Sequence, residues 1–215
     1  MRDTHAPNFR DQVGPLYWLR DLAQLSISLV EFRARTATYP NVQRELSDLA
    51  QRLHALSQPI LASVDENTGL IPVIAMLRNR WTALHAQFGR HDIVGMVGGD
   101  ELWLPVQSAI ALNLAVDQIL RNSLRHAFPE RSGRVTITVN HDGDHHTAAV
   151  RITDDGIGAP NATLATSTNG LGLVRELAGQ LDADLSIASS ARSGTSVAFR
   201  FSTRRDSWPA AQSGH

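Results

Sequence analysis

Apolar residues recur at intervals of three and four from about Val13 to Thr38, at Leu16, Leu19, Leu22, Ala23, Leu25, Ile27, Leu29, Val30 and Phe32, which predicts an amphipathic helix. Pro40 ends the pattern, because proline cannot extend a helix and restricts the residue before it. A second helix follows, with Val42, Leu46, Leu49, Leu53, Leu56 and Ile60 as its apolar side. Two long helices joined by the short "TATYPN" turn predict an antiparallel hairpin. A hairpin alone leaves much apolar surface uncovered, so pairing with a second copy into a dimeric four-helix bundle is expected.

A third helical stretch, "IPVIAMLRNRWTALHAQFG", leads into the glycine-containing segment "GMVGGD", which reads as a boundary. Beyond it the periodicity alternates. A short strand, "ELWLP", precedes a long helix over about 106–127, then two strands, "RVTITVN" and "TAAVRIT", joined by "HDGDHH" as a hairpin. A loop, the helix "LVRELAGQL" and the strands "LSIAS" and "SVAFRFS" complete the pattern. The prediction is an α+β chain: a helical region over 10–98, an α/β sandwich over 99–203 whose mixed sheet carries helices on one face, and a loose polar tail over 204–215.

Composition narrows the function classes. With 42% hydrophobic residues, 19% charged residues and a formal net charge of −1, the chain has no electrostatic bias toward nucleic acid or an acidic membrane surface. It has no cysteine, which excludes disulfides and thiolate metal sites. The run around "SAIALNLAV" is far short of the roughly 20 residues of a membrane span, and "MRDTHAPNFRDQ" lacks the apolar core of a signal peptide. A cytoplasmic protein is the expectation.

Chemistry concentrates in four places. "DDGIG" at 154–158 follows directly on a strand; its glycines permit close approach of a ligand, and a carboxylate beside them can accept from an exocyclic amine such as adenine presents. The same residues also make an ordinary turn at a strand end. "NGLGL" at 169–173 opens a helix, where backbone N–H groups and the positive dipole end form a natural phosphate seat; a simple glycine-rich helix entry has the same composition. On the long helix Gln118, Asn122 and His126 fall on one stripe with Arg125 beside them, opposite the apolar Leu112, Val116, Ile119 and Leu120. Asn122 offers an oxygen suited to Mg²⁺ and Arg125 a charged fork for phosphate, or the stripe is a solvated face. Finally "SGT" at 193–195 precedes the last strand.

As an ordered set, N-x-x-R-H on a helix, D-x-G-x-G after a strand, G-L-G-L before a helix and G-T before the last strand resemble the GHKL (Bergerat) ATP-binding fold of histidine kinases, gyrase-type ATPases and anti-sigma-factor kinases. The resemblance implies ATP and Mg²⁺ as cofactors. It makes Asn122 the Mg²⁺ ligand, Arg125 and His126 its phosphate-side neighbours, Asp154 the partner of the adenine amino group and Gly156 and Gly158 the shapers of the pocket. Gly170 and Gly172 would line the phosphates and Thr195 would close the far wall. More finely, "HAFP" after the Asn helix and the short lid "APNATLATSTN" resemble the HWE class of histidine kinases, and the N-terminal hairpin resembles that class's dimerisation and phosphotransfer helices.

Two departures shape the functional reading. The first helix carries no histidine where the resemblance places a phospho-acceptor; Leu16, Tyr17 or Arg20 stands there, and none of these replaces a nitrogen nucleophile. Asp21 and Gln24 keep an acid and an amide at the spacing that orients water for dephosphorylating a partner in such proteins, and His54 is the only histidine of the hairpin pair. Gln118 stands where a glutamate would serve as base, and an amide takes no proton at neutral pH. The expectation is a degenerate, homodimeric histidine-kinase core in two-component signalling. It would dock a response-regulator receiver domain or another kinase, as phosphatase, phosphotransferase or pseudokinase. The alternatives are a GHKL Ser/Thr kinase of the anti-sigma-factor type and a scaffold without nucleotide.

Overall fold

The computed structural model describes residues 35–36, 38–44, 47, 50, 54, 64, 68–142, 146–158 and 171–203. The chain divides into two compact units, Met1–Gly69 and Leu70–His215. In the first, residues 40–44, 47, 50 and 54 are helical, Ala50 is buried and His54 is exposed. Of the expected first helix only Arg35 and Thr36, both helical, and Thr38 are described; Asp21 and Gln24 lie outside the described residues, as do most of the second helix and the tail over 204–215.

The second unit begins with strand β1 (Leu70–Pro72), helix α1 (Val73–Phe88) and strands β2 (Ile93–Gly99) and β3 (Trp103–Pro105). Helix α2 (Val106–Asn122) runs on into a π-helical turn, Ser123–Ala127. Strands β4 (Gly133–Asp142) and β5 (Thr147–Asp154), helix α3 (Leu171–Gln180), and strands β6 (Asp184–Ser190) and β7 (Gly194–Ser202) follow. β1 pairs with β3 as a two-stranded sheet, and the main sheet has the order β2-β4-β5-β7-β6. Its β2–β4 pair is parallel and the other pairs are antiparallel, so the sheet is mixed as expected.

The boundary differs from the expected one at residue 98. "GMVGGD" is not a linker: Ile93–Gly99 is the parallel edge strand, and the second compact unit begins at Leu70. The third helical stretch is present as α1, within the sandwich unit rather than the helical region. Gly95 of β2 has a packing reason. A Cβ at Gly95 would overlap the indole of Trp81, so α1 reaches the edge strand only because no side chain stands there.

Strand alternation puts Val135, Ile137 and Val139 of β4, Ala148, Val150 and Ile152 of β5, and Val197, Phe199 and Phe201 of β7 on one buried face. The helices bury Leu77, Leu84, Leu112, Val116, Leu120 and Val174. At about 1.5–3 kcal/mol for each large apolar side chain removed from water, this single layer is the main source of stability. It also fixes the end of β5 beside the end of α2, and that corner is where the sequence motifs converge.

Candidate functional site

The two acids of "DDGIG" have separate tasks. Asp154 ends β5 in register with Ala148, Val150 and Ile152, so alternation turns it toward the helices, where only 4% of it is exposed. Its Oδ1 accepts the backbone N–H groups of Gly156 at 3.1 Å and Thr195 at 3.2 Å. Its Oδ2 accepts the hydroxyl of Ser123 at 2.8 Å. An ionised carboxylate accepts about four hydrogen bonds, so these donors leave room for one more at Oδ2. Asp155 is exposed and tied to the start of β4: its Oδ1 accepts the Arg134 N–H at 2.7 Å, and its own N–H donates to the Arg134 carbonyl at 3.2 Å.

Glycine matters here chiefly for close approach. A Cβ at Gly156 would overlap the carbonyl oxygen and Cβ of Ala127, so the loop lies directly on the last turn of the α2 region. The Ile157 N–H donates to that Ala127 carbonyl at 2.9 Å. Gly158, at φ +64°, packs on the Ser190 carbonyl, and the Arg192 N–H reaches the Ile157 carbonyl at 2.8 Å. The loop is thus wedged between the end of α2 and the β6–β7 turn. Thr195 meets Asp154 through its backbone, while its hydroxyl pairs with Ser189 at 3.0 Å.

On α2 the predicted stripe holds in part. Gln118 Nε2 donates to Asn122 Oδ1 at 3.2 Å, and both residues are part-buried. The helix then changes pitch. The π turn over Ser123–Ala127 leaves Arg125 and His126 exposed, and the Arg125 guanidinium lies over the Phe88 ring of α1 at 5.5 Å. Arg125 therefore sits on the α1 side of the helix rather than between Asn122 and the loop. Gly172 is the second residue of α3, inside the helix rather than before it; Gly170 and the lid lie outside the described residues.

Two ionic arrangements hold this corner together. Asp117, one residue before Gln118, is buried on the α1 side between Arg80 and Arg121: its Oδ1 accepts Arg80 Nε at 2.8 Å and its Oδ2 accepts Arg121 Nε at 2.9 Å. Locked in this trio, its carboxylate does not stand in for the glutamate that Gln118 replaces. Arg90, in the α1–β2 loop, closes on Asp92 with both nitrogens and donates to the carbonyls of Leu124 and Phe128, at 3.3 and 2.8 Å. The hydrogen bond from Arg90 holds the Asp92 carboxyl below its ordinary range, and the same bond raises the guanidinium. Arg90 thereby satisfies carbonyls that the end of a helix leaves without partners.

The structure brings together Asp154, Gly156, Gly158, the Gly194–Thr195 turn and the Asn122 turn, and it adds Ser123, Arg90 and Asp117. Ser123 carries no signal of its own in the sequence. Gly194 closes a serine-containing turn and is required there by φ +74° and by contact with the Asp154 carbonyl. Arg80 and Asp117 are 37 residues apart and meet only through the packing of α1 on α2.

Residues 107–205 match the family model for histidine kinase-, DNA gyrase B-, and HSP90-like ATPases. The chain is 27% identical over 178 residues to blue-light-activated histidine kinase 2 of Erythrobacter litoralis, covering 80% of this chain and 51% of that protein. It is 25% identical over 183 residues to the sensor histidine kinase PdtaS of Mycobacterium tuberculosis, covering 82% and 36%. It spans about half, or less, of the length of these curated relatives. The solved structure of the Erythrobacter litoralis EL346 blue-light activated histidine kinase superposes with a TM-score of 0.75 at 25% identity, covering 92% of this chain and 63% of that one. The C-terminal unit therefore carries a histidine-kinase-like GHKL ATPase domain.

Proposed function

We propose that this domain binds ATP and that the chain is a degenerate histidine-kinase core of two-component signalling. It would dimerise through its N-terminal helices and dock a response-regulator receiver domain or another kinase. The observation that carries the reading is the buried Asp154 carboxylate, fixed by three donors and keeping one acceptor position free. An exocyclic amine such as adenine presents fills that position; a 6-oxo purine would set its own lone pairs against it.

The surrounding residues suit the rest of such a ligand. Gly156 and Gly158 keep side chains off the loop beside the carboxylate, and the first turn of α3, with Gly172, would present backbone N–H groups to phosphate, the part the sequence motif also assigns to Gly170. Asn122 would lend its amide oxygen to a Mg²⁺ that otherwise keeps waters and phosphate oxygens. Bound ATP would supply a transferable phosphoryl group. This chain lacks a histidine at the usual acceptor place and carries Gln118 in place of a base. The role we assign is therefore a pseudokinase or phosphatase one, with Asp21 and Gln24 as the water-orienting pair of the latter.

Incubation with γ-labelled ATP tests this reading. Saturable retention of nucleotide without acid-labile label on the chain is the expected result. Acid-labile label on the chain, abolished by His54→Ala, would contradict the degenerate-kinase part; no retention at all would contradict the nucleotide part.

A further inference from the structure

The pair Gln118–Asn122 bears on how the nucleotide is held, and its significance rests on the proposed binding of ATP. The Asn122 oxygen, the atom available to a cation, accepts the Gln118 amide N–H at 3.2 Å. Two consequences arise from the chemistry of an amide in this place. The N–H end of the Gln118 dipole points at the oxygen that would ligate, so its positive end faces any cation held there. No negative charge accompanies it either. If the two amides are turned the other way, Gln118 Oε1 accepts from Asn122 Nδ2 and the pair is still neutral.

The arginines of the same helix do not alter this balance: Arg121 is committed to Asp117, and Arg125 lies over Phe88. Asp117, the adjacent acid, is held between Arg80 and Arg121 in a trio of net charge +1, so it offers no negative charge to a cation at Asn122. A carboxylate at position 118 would repel the bare polyphosphate and attract its Mg²⁺ complex; an amide does neither.

We infer that, with Asn122 as a single neutral ligand and Gln118 adding no charge, nucleotide binding at this site is only weakly dependent on Mg²⁺, so that the domain accepts the free polyanion nearly as well as its Mg²⁺ complex. A unit charge about 4–6 Å from a unit positive charge, at an effective dielectric of about 20, changes affinity by roughly 100- to 1,000-fold. Restoring the charge therefore restores the metal dependence.

The test is calorimetric titration of ATP into the full chain and into Gln118→Glu, each in excess Mg²⁺ and in excess EDTA. Gln118→Glu is isosteric at a part-buried position, and a melting curve matching the wild type's confirms that it folds. The expected wild-type affinities in the two buffers agree within about 3-fold, while those of Gln118→Glu differ by about 10-fold or more, tighter with Mg²⁺. A wild-type preference for the Mg²⁺ complex of about 10-fold or more would overturn the inference and leave the nucleotide reading intact. Equal affinities in both buffers for both proteins would also overturn it. The absence of binding by either protein in either buffer would overturn the nucleotide reading and this inference together.

Discussion

Asp117→Asn is the perturbation that most directly probes how α2 is held. The substitution keeps the shape of the side chain and removes its charge, leaving Arg80 and Arg121, 7% and 5% exposed, as two buried guanidinium groups with no anion between them. Breaking a buried ion pair by removing one partner costs about 3–5 kcal/mol, because the stranded charge has lost water without gaining a counter-charge. Arg121 keeps a hydrogen bond to Gln87 at 3.3 Å and the face of Phe88 at 5.9 Å, which places the expected loss at the lower end, about 3 kcal/mol. For a domain of this size about 3 kcal/mol lowers the melting temperature by roughly 6–12 °C. Urea unfolding of the full chain followed by circular dichroism should show a lower midpoint at unchanged slope. Replacing all three residues together, Arg80→Met, Asp117→Leu and Arg121→Met, should recover most of the loss, since an apolar trio has no desolvation cost. A loss below about 1 kcal/mol for Asp117→Asn would refute the reasoning, showing that the two arginines find water or other partners.

Two further predictions concern the loop and its clamp. Gly156→Ala should cost about 1–3 kcal/mol, because its Cβ meets the Ala127 carbonyl, whereas Gly179→Ala on α3 meets nothing within 4 Å and should stabilise by up to about 1 kcal/mol; thermal melts of the two variants separate packing from propensity. The Arg90 hydrogen bond lowers the Asp92 carboxyl below its ordinary value of 3.8, so its stabilising effect is present above that value and is lost as pH falls through the lowered one. The melting-temperature difference between wild type and Asp92→Asn should accordingly be flat from neutral pH down to about pH 5 and vanish on further acidification; a difference that grows in acid would contradict the assignment.

The sheet-forming half of the sandwich was legible in the sequence because its strands alternate strictly and its helices repeat at three and four. β2 was not, since three of the seven positions of "IVGMVGG" are glycine, Gly95 among them to admit Trp81, and a strand so rich in glycine reads as a linker. The boundary moved for the same reason, together with the β1–β3 pairing of Leu70 with Pro105, a contact that no local pattern announces. At the site, Asp154 and its glycines were legible as a motif. Helical spacing put Arg125 beside Asn122; a π turn and the Phe88 ring, both outside the reach of an i, i+4 rule, carry it to the other side. Ser123 is the plainest omission, since a serine in a helix acquires meaning only once the carboxylate facing it is known.

Calorimetric titration of ATP into wild type and Asp154→Asn tests most directly whether the free acceptor position of Asp154 reads the amine of an adenine nucleotide. The substitution is well suited to the question. An asparagine can keep its oxygen toward the Gly156 and Thr195 N–H groups while its NH₂ takes the place of Oδ2, where the Ser123 hydroxyl turns from donor to acceptor. The fold is thus retained while the free acceptor becomes a donor. Setting that donor against the adenine amine leaves both unpaired, a loss of about 1–3 kcal/mol or roughly 5- to 150-fold in affinity. The wild type should bind ATP saturably, and the variant, still folded, should bind it more weakly by that factor. Equal affinities, or no binding by the wild type at millimolar ATP, would contradict that reading.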